Sequence, residues 1–128
     1  MQDSARSAKT LLCIDDYQNA LARWCLYLQG EGYCVTGAAS AQEGLEIFGT
    51  RQVDVVVLDY AMPEMSGEVV ARAMKKIKPN VPIIMFTGFS DVGQSREHID
   101  VLVTKGCEPR VLLPIIDDVL QIGYSGEN

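Results

Sequence analysis

One histidine, one tryptophan and four cysteines are all that the chain holds of these residues, and each scarcity closes a class of function. Cys13, Cys25, Cys34 and Cys107 form no C-x-x-C pair, and with a single histidine beside them a structural zinc site lacks its ligand spacing. Cys13, Cys25 and Cys34 lie among apolar neighbours, where a reduced thiol behaves as a small hydrophobe. The expected setting is therefore a reducing one, the cytoplasm. No apolar run approaches the ~20 residues needed to cross a bilayer. The opening MQDSARSAKT has no apolar core, so it does not read as a signal peptide. There is no G-x-x-x-x-G-K-[ST] loop and no G-x-G-x-x-G, which argues against ATP or a dinucleotide as a bound donor. Basic side chains are outnumbered, 11 against 17 acidic ones, for a formal charge of −6. Nucleic acid and an anionic membrane would both repel such a domain. A metal cation or a basic partner surface suits it better.

What is present is the make-up of one soluble domain, 48% hydrophobic and 22% charged over 128 residues. Residues 1–8 are small and polar and are expected to be a disordered tail, and 123–128 a second tail, with the domain at 9–122. Between them, short apolar runs alternate with helical patterns. The run 10–14 (TLLCI) is followed by a helix over 19–29 that Gly30 or Gly32 stops. The run 33–38 is followed by a helix over 41–48, with Ser40 as N-cap, Glu43 as its capping-box partner and Gly49 as its end. The valine-rich run 53–58 leads to a helix over 67–77, with Val69, Val70, Ala73, Met74 and Ile77 on one face. Lys75, Lys76 and Lys78 close that helix, where cations suit its dipole. Runs at 81–86 and 101–104 follow, then a last amphipathic helix over 108–122. Pro109 fits the first turn of that helix, and Pro114 should kink it or delay its start.

Short strands alternating with helices predict an α/β fold, a doubly wound five-stranded parallel sheet with helices on both faces. Right-handed crossovers leave the order 2-1-3-4-5 as the natural arrangement. Parallel strands present their carboxyl ends on one rim, and four of the five strands end there in a functional group: Asp15 and Asp16, Asp59, Thr87 and Lys105. Either Asp15 or Asp16 could simply cap the helix that follows. Asp59 stands out because a charge at the end of a strand buried on both faces needs a cleft or a partner. Three carboxylates brought together repel one another unless a cation sits among them, and Mg²⁺ takes oxygen ligands while leaving room for a phosphate oxygen. A carboxylate nucleophile, a divalent cation, a lysine and a hydroxyl suit in-line phosphoryl transfer to an acyl phosphate.

Taken together, Asp15-Asp16, VVVLDYAMPEMSG with Asp59, IIMFTG with Thr87 and VLVTK with Lys105 resemble the receiver domain of two-component response regulators, from Lys9 to Leu120. The resemblance implies a flavodoxin-like, chemotaxis-regulator-like fold. It implies that Asp59 accepts a phosphoryl group from a phosphohistidine on a sensor histidine kinase or histidine phosphotransfer protein. It further implies that Asp16, Asp59 and the backbone carbonyl of Ala61 bind Mg²⁺ directly, that Asp15 acts through water, and that Thr87 and Lys105 hold the phosphoryl oxygens. Such a domain assists its own phosphorylation and dephosphorylation but turns over no separate substrate. Its output goes to a downstream protein target or to an effector domain on a longer chain; a free-standing receiver is the expectation here. Nucleic acid and membrane are not expected partners.

The chain departs from that family in three places. Leu102 stands three residues before the lysine, where the family usually has an aromatic ring. Phe89, two residues after Thr87, is a conceivable substitute. Gly106 stands where a proline usually follows the lysine, which predicts either a trans bond with a rearranged loop or a strained cis bond. Gly88 to Asp100 is shorter than the family norm, holds about two helical turns at most, and contains Gly93, so the fourth crossover helix should be short or irregular. His98, beside it, reads as an exposed or half-buried side chain rather than a ligand. These departures keep open an alternative, a receiver-like interaction module that signals without phosphorylation. A phosphatase with an aspartyl-phosphate intermediate fits less well, because the second acid expected two residues after the nucleophile is Ala61 here.

Overall fold

The computed structural model describes residues 2–87, 97–104 and 109–122, with side chains over 5–86, 97–104 and 109–122. Five parallel strands form one sheet in the order β2-β1-β3-β4-β5. They are β1 (Thr10–Ile14), β2 (Cys34–Ala38), β3 (Val55–Asp59), β4 (Ile83–Thr87) and β5 (Val101–Thr104). Among the described residues the helices are α1 (Gln2–Ser7), α2 (Gln18–Gly30), α3 (Ala41–Thr50), α4 (Gly67–Ile77) and α5 (Pro109–Val119). This is the doubly wound, flavodoxin-like arrangement that the alternation of strands and helices predicts. The expected short helix within 88–100 falls mostly outside the described residues. Among the described residues, no helix is long and apolar enough to cross a membrane.

The period of two along each strand sorts the core into two layers. Leu12, Ile14, Val56, Leu58, Ile83 and Met85 meet Phe48 of α3 and Val70, Ala71 and Met74 of α4. Leu11, Cys13, Val55, Val57, Ile84 and Phe86 meet Trp24 and Leu28 of α2 and Leu112 and Ile116 of α5. Every residue of β3 is buried, because this central strand has a helical layer on each side. Each such aliphatic side chain contributes about 1.5–3 kcal/mol relative to exposure. In the second layer Cys13 is buried and Cys25 packs against the same cluster. The neighbouring Cys25, with burial, pushes Cys13 well above the usual thiol range, and the Cys13 thiol in turn lowers Cys25.

Several expectations need correction. Within the segment expected to be a tail, Gln2–Ser7 form α1, held by Arg6, which is 7% exposed. Its guanidinium donates to both carboxylate oxygens of Asp117 in α5, at 3.2 and 2.7 Å, and to the Glu31 carbonyl at 2.9 Å. It also lies 5.8 Å from the centroid of the Tyr33 ring. In α4 the buried residues are Gly67, Val70, Ala71 and Met74, the i, i+3, i+4, i+7 stripe, while Val69 and Ile77 are exposed. Gly49 does not end α3, which runs on to Thr50, whose hydroxyl donates to the Glu46 carbonyl at 2.8 Å. Lys75 and Lys78 do more than suit a dipole. Lys75 Nζ binds Asp100 and the Val81 carbonyl at 2.9 Å each, and Lys78 Nζ binds the Arg51 carbonyl at 2.8 Å.

Pro114 does not delay the start of α5; the helix begins at Pro109 and runs through it, forfeiting one i→i−4 bond. Beyond the helix end the chain binds backward in a Schellman arrangement, Ile122 N–H to the Asp117 carbonyl at 2.8 Å and Gln121 N–H to the Asp118 carbonyl at 3.1 Å. Gln121 takes the left-handed position, φ 59°, where glycine is the usual occupant. The expected tail at 123–128 lies outside the described residues.

Candidate functional site

The carboxyl rim of the sheet gathers the acids. β1 ends at Ile14, and the ladder to β2 continues one residue further through Asp15 N–H to the Ala38 carbonyl at 3.1 Å. β3 ends at Asp59, register partner of Phe86 on β4, and Tyr60 N–H donates to the Phe86 carbonyl at 3.1 Å. Because β1 and β3 are neighbours, their terminal acids are neighbours too. Asp15 and Asp59 are each 1% exposed, Asp16 is exposed, and one carboxylate oxygen from each of the three lies within 4.8 Å of the others.

Local backbone chemistry holds these side chains. Asp15 Oδ1 accepts the Tyr17 N–H at 2.9 Å, a side-chain turn that anchors the carboxylate. Neither acid caps α2: the N-cap is Tyr17, with no side-chain cap bond. Beyond Asp59 the chain turns back so tightly that Gly67 N–H donates to the Tyr60 carbonyl at 2.7 Å. A β-carbon on Gly67 would sit 2.6 Å from the Asp59 carbonyl oxygen and 2.9 Å from Tyr60 Cα. Gly67 is therefore a packing requirement of the site as well as the first residue of α4. Met62, within that turn, is buried as part of the core layer of α3 and α4. Ala61 is exposed at the mouth of that turn.

Of the other expected site residues, Thr87 ends β4 as register partner of Thr104 on β5, so its backbone reaches the same rim. Its side chain lies outside the described residues. So do Lys105, which follows Thr104 directly, Gly106 with its expected unusual peptide bond, and Phe89. Leu102, at the position of the family's aromatic ring, pairs with Met85 and packs against the core layer of α3 and α4. His98 is half-buried, 3.6 Å from Glu97, and stands outside the acidic cluster.

Carboxylates this close repel by about 3–4 kcal/mol per pair at an effective dielectric of 20. A bound cation relieves that repulsion. The donors are hard oxygens only, two buried and one facing solvent, a set that suits Mg²⁺ with part of its coordination left to water or a phosphate oxygen.

The chain matches the family model of the response regulator receiver domain over residues 11–117. It is 32% identical over 115 residues to the transcriptional regulatory protein GlrR of Escherichia coli, covering 87% of this chain and 26% of that protein. With the response regulator SaeR of Staphylococcus aureus it shares 31% over 119 residues, 86% of this chain and 50% of the other. The chain thus spans between a quarter and a half of the length of these relatives. Among solved structures, a CheY-like receiver domain from Methanospirillum hungatei superposes with a TM-score of 0.84 at 30% identity, over 88% of this chain and 94% of that one. The response regulator TrrA of Thermotoga maritima, in complex with Mg²⁺-BeF, superposes with a TM-score of 0.81 at 31% identity, over 87% and 98%. Strand order, acidic rim and these matches agree, and the chain belongs to the response regulator receiver domain family.

Proposed function

We propose that Asp59 is the phosphoacceptor of a two-component phosphorelay. The observation that carries this is the cluster of Asp15, Asp16 and Asp59, with Asp59 buried at the end of the central strand. In the proposed reaction a carboxylate oxygen of Asp59 attacks the phosphorus of a phosphohistidine. The N–P bond breaks, the imidazole departs, and an aspartyl phosphate forms. Asp16, Asp59 and the Ala61 carbonyl are the direct ligands for Mg²⁺, with Asp15 acting through water. When bound, the ion neutralises charge on the transferring phosphoryl group. Thr87 and Lys105 hold the phosphoryl oxygens from the ends of β4 and β5. The rigid turn closed by Gly67 keeps the Asp59 backbone in place while the carboxylate reacts.

The donor is a sensor histidine kinase or a histidine phosphotransfer protein in the cytoplasm, and the output is a protein target or an effector domain. The relatives' names, a transcriptional regulator and a response regulator, support an output of that kind. The protein passes a signal and turns over no separate substrate.

Incubation with Mg²⁺ and a small acyl-phosphate donor, followed by intact mass measurement, tests the proposal. One phosphoryl group should appear on the wild type and none on Asp59→Asn. Uptake that survives Asp59→Asn would move the acceptor elsewhere. No uptake by the wild type, with no Mg²⁺ binding, would leave the interaction module that Leu102 and Gly106 keep open.

A further inference from the structure

Beside the acidic rim, on the α2 side of the sheet, two thiols meet across β1 and α2. Cys13 is 2% exposed in the core, one residue from the end of β1, and Cys25 is half-buried on the facing side of α2. The room between them comes from a missing side chain. Gly37 on β2 is the register partner of Cys13, and a β-carbon there would lie 3.0 Å from Cys25 Sγ. Leu21, 3.5 Å from the same point, closes the other side of the gap. Cys25 Sγ therefore occupies space that any residue but glycine would fill, beside the register partner of Cys13 and packed against the cluster that holds Cys13.

We infer that Cys13 and Cys25 are an oxidisable pair, closed into an intramolecular disulfide by a peroxide. Cys25, the reachable member, attacks the peroxide: its sulfur takes one oxygen, the O–O bond breaks, and the other oxygen leaves as water or an alcohol with the thiol proton. The resulting sulfenic acid meets the Cys13 thiol. The Cys13 sulfur attacks Cys25, the S–O bond breaks, and the hydroxyl departs as water with the Cys13 proton. Two thiols lose two electrons, and the peroxide accepts them. The disulfide spans residues 13 to 25 and so encloses Asp15, Asp16 and Tyr17, tying the segment that carries two of the three clustered acids to α2. The inference stands on the thiols alone and is independent of whether Asp59 is phosphorylated.

The test treats the reduced full chain, under native conditions, with a slight excess of hydrogen peroxide. Free thiols are then blocked and the chain is digested. A monomer lighter by two hydrogens is expected, with the Cys13 peptide joined to the Cys25 peptide and Cys34 blocked as a free thiol. Cys34→Ser should close the same bridge at the same rate. Gly37→Ala, which retains both cysteines, should slow closure several-fold by displacing Cys25 Sγ. Circular dichroism checks that this variant stays folded. A bridge through Cys34 or Cys107, a disulfide-linked dimer, or Cys25 oxidised to sulfinic acid with Cys13 still free would overturn the assignment. So would a Gly37→Ala protein that folds and closes as fast as the wild type.

Discussion

Arg6 and Asp117 stand 111 positions apart in the chain and meet in a two-pronged ion pair, Nε to Oδ1 at 3.2 Å and Nη2 to Oδ2 at 2.7 Å. Their side chains are 9% and 17% exposed, so the pair is sheltered from water without being sealed from it. Hydrogen bonds to charged groups contribute about 1.5–3 kcal/mol. Arg6→Ala is expected to cost about 2 kcal/mol, read as a lower urea midpoint at unchanged slope. A double-mutant cycle with Asp117→Ala should return a coupling of about 1–3 kcal/mol. Additive effects would mean that α1 is held by something other than this pair.

Tyr33 donates its hydroxyl to the same Asp117 carboxylate, and burial followed by that hydrogen bond pushes the phenol well above its ordinary value of 10.0. Above pH 10 the unfolded chain loses this proton while the folded protein keeps it. The folded state then binds more protons, and stability falls as pH rises. The contribution is complete below pH 10 and erodes above it. Tyr33→Phe should cost about 1 kcal/mol at pH 7 and flatten the alkaline loss between pH 10 and 12. Denaturant titrations at a series of pH values measure both, and parallel curves for the two proteins would refute the assignment.

Two glycines with similar crowding should respond differently to alanine. At Gly44 the added carbon meets the flexible end of Ile14, Cδ1 at 2.5 Å, which can turn aside. Overpacking of about 1–3 kcal/mol is offset there by about 1 kcal/mol of helix propensity. At Gly67 the added carbon meets the backbone of Asp59 and Tyr60, which has nowhere to go. Gly67→Ala should cost the full ~3 kcal/mol or more and, on the proposed function, slow phosphoryl uptake. Equal thermal midpoints for the two variants would count against this reading of the turn.

Gln121 holds a left-handed position that costs a side-chain-bearing residue about 1 kcal/mol. Gln121→Gly should therefore raise stability by up to about 1 kcal/mol while leaving phosphoryl uptake unchanged. Thermal and urea unfolding decide the sign.

On the proposed reading Mg²⁺ binds only the folded protein. At ten times its dissociation constant it should add about 1.4 kcal/mol, which raises the melting temperature. Asp16→Asn leaves the core untouched, because Asp16 is exposed, and should abolish the rise. A rise that persists in Asp16→Asn would place the ion elsewhere.

The sheet was legible because its strands are short β-branched runs, and the order of elements left few ways to wind them. The acids were legible because Asp59 ends a strand with nowhere else to put a charge. The N-terminal latch was not legible, since each of its parts has an ordinary local explanation. Arg6 lies in a polar stretch too short to show a helical period. Tyr33 precedes a strand and reads as part of it. Asp117 sits on what looks like the solvent face of α5. Their meeting depends on where α5 ends relative to the start of β1, a fact of tertiary placement. Val69 and Ile77 misled for a related reason: apolarity alone cannot say which of two adjoining stripes on α4 faces the sheet.

Trp24 is the chain's one tryptophan, and its ring packs at 5.0 Å, tilted by 54°, against Phe86. Phe86 is the register partner of Asp59 and accepts the hydrogen bond of Tyr60. The protein thus carries a built-in fluorophore one ring away from the strand that neighbours its acidic rim. Any change at Asp59 that shifts β4 against α2 alters the surroundings of a single indole, so tryptophan emission can follow the occupancy of the site in real time without an added label.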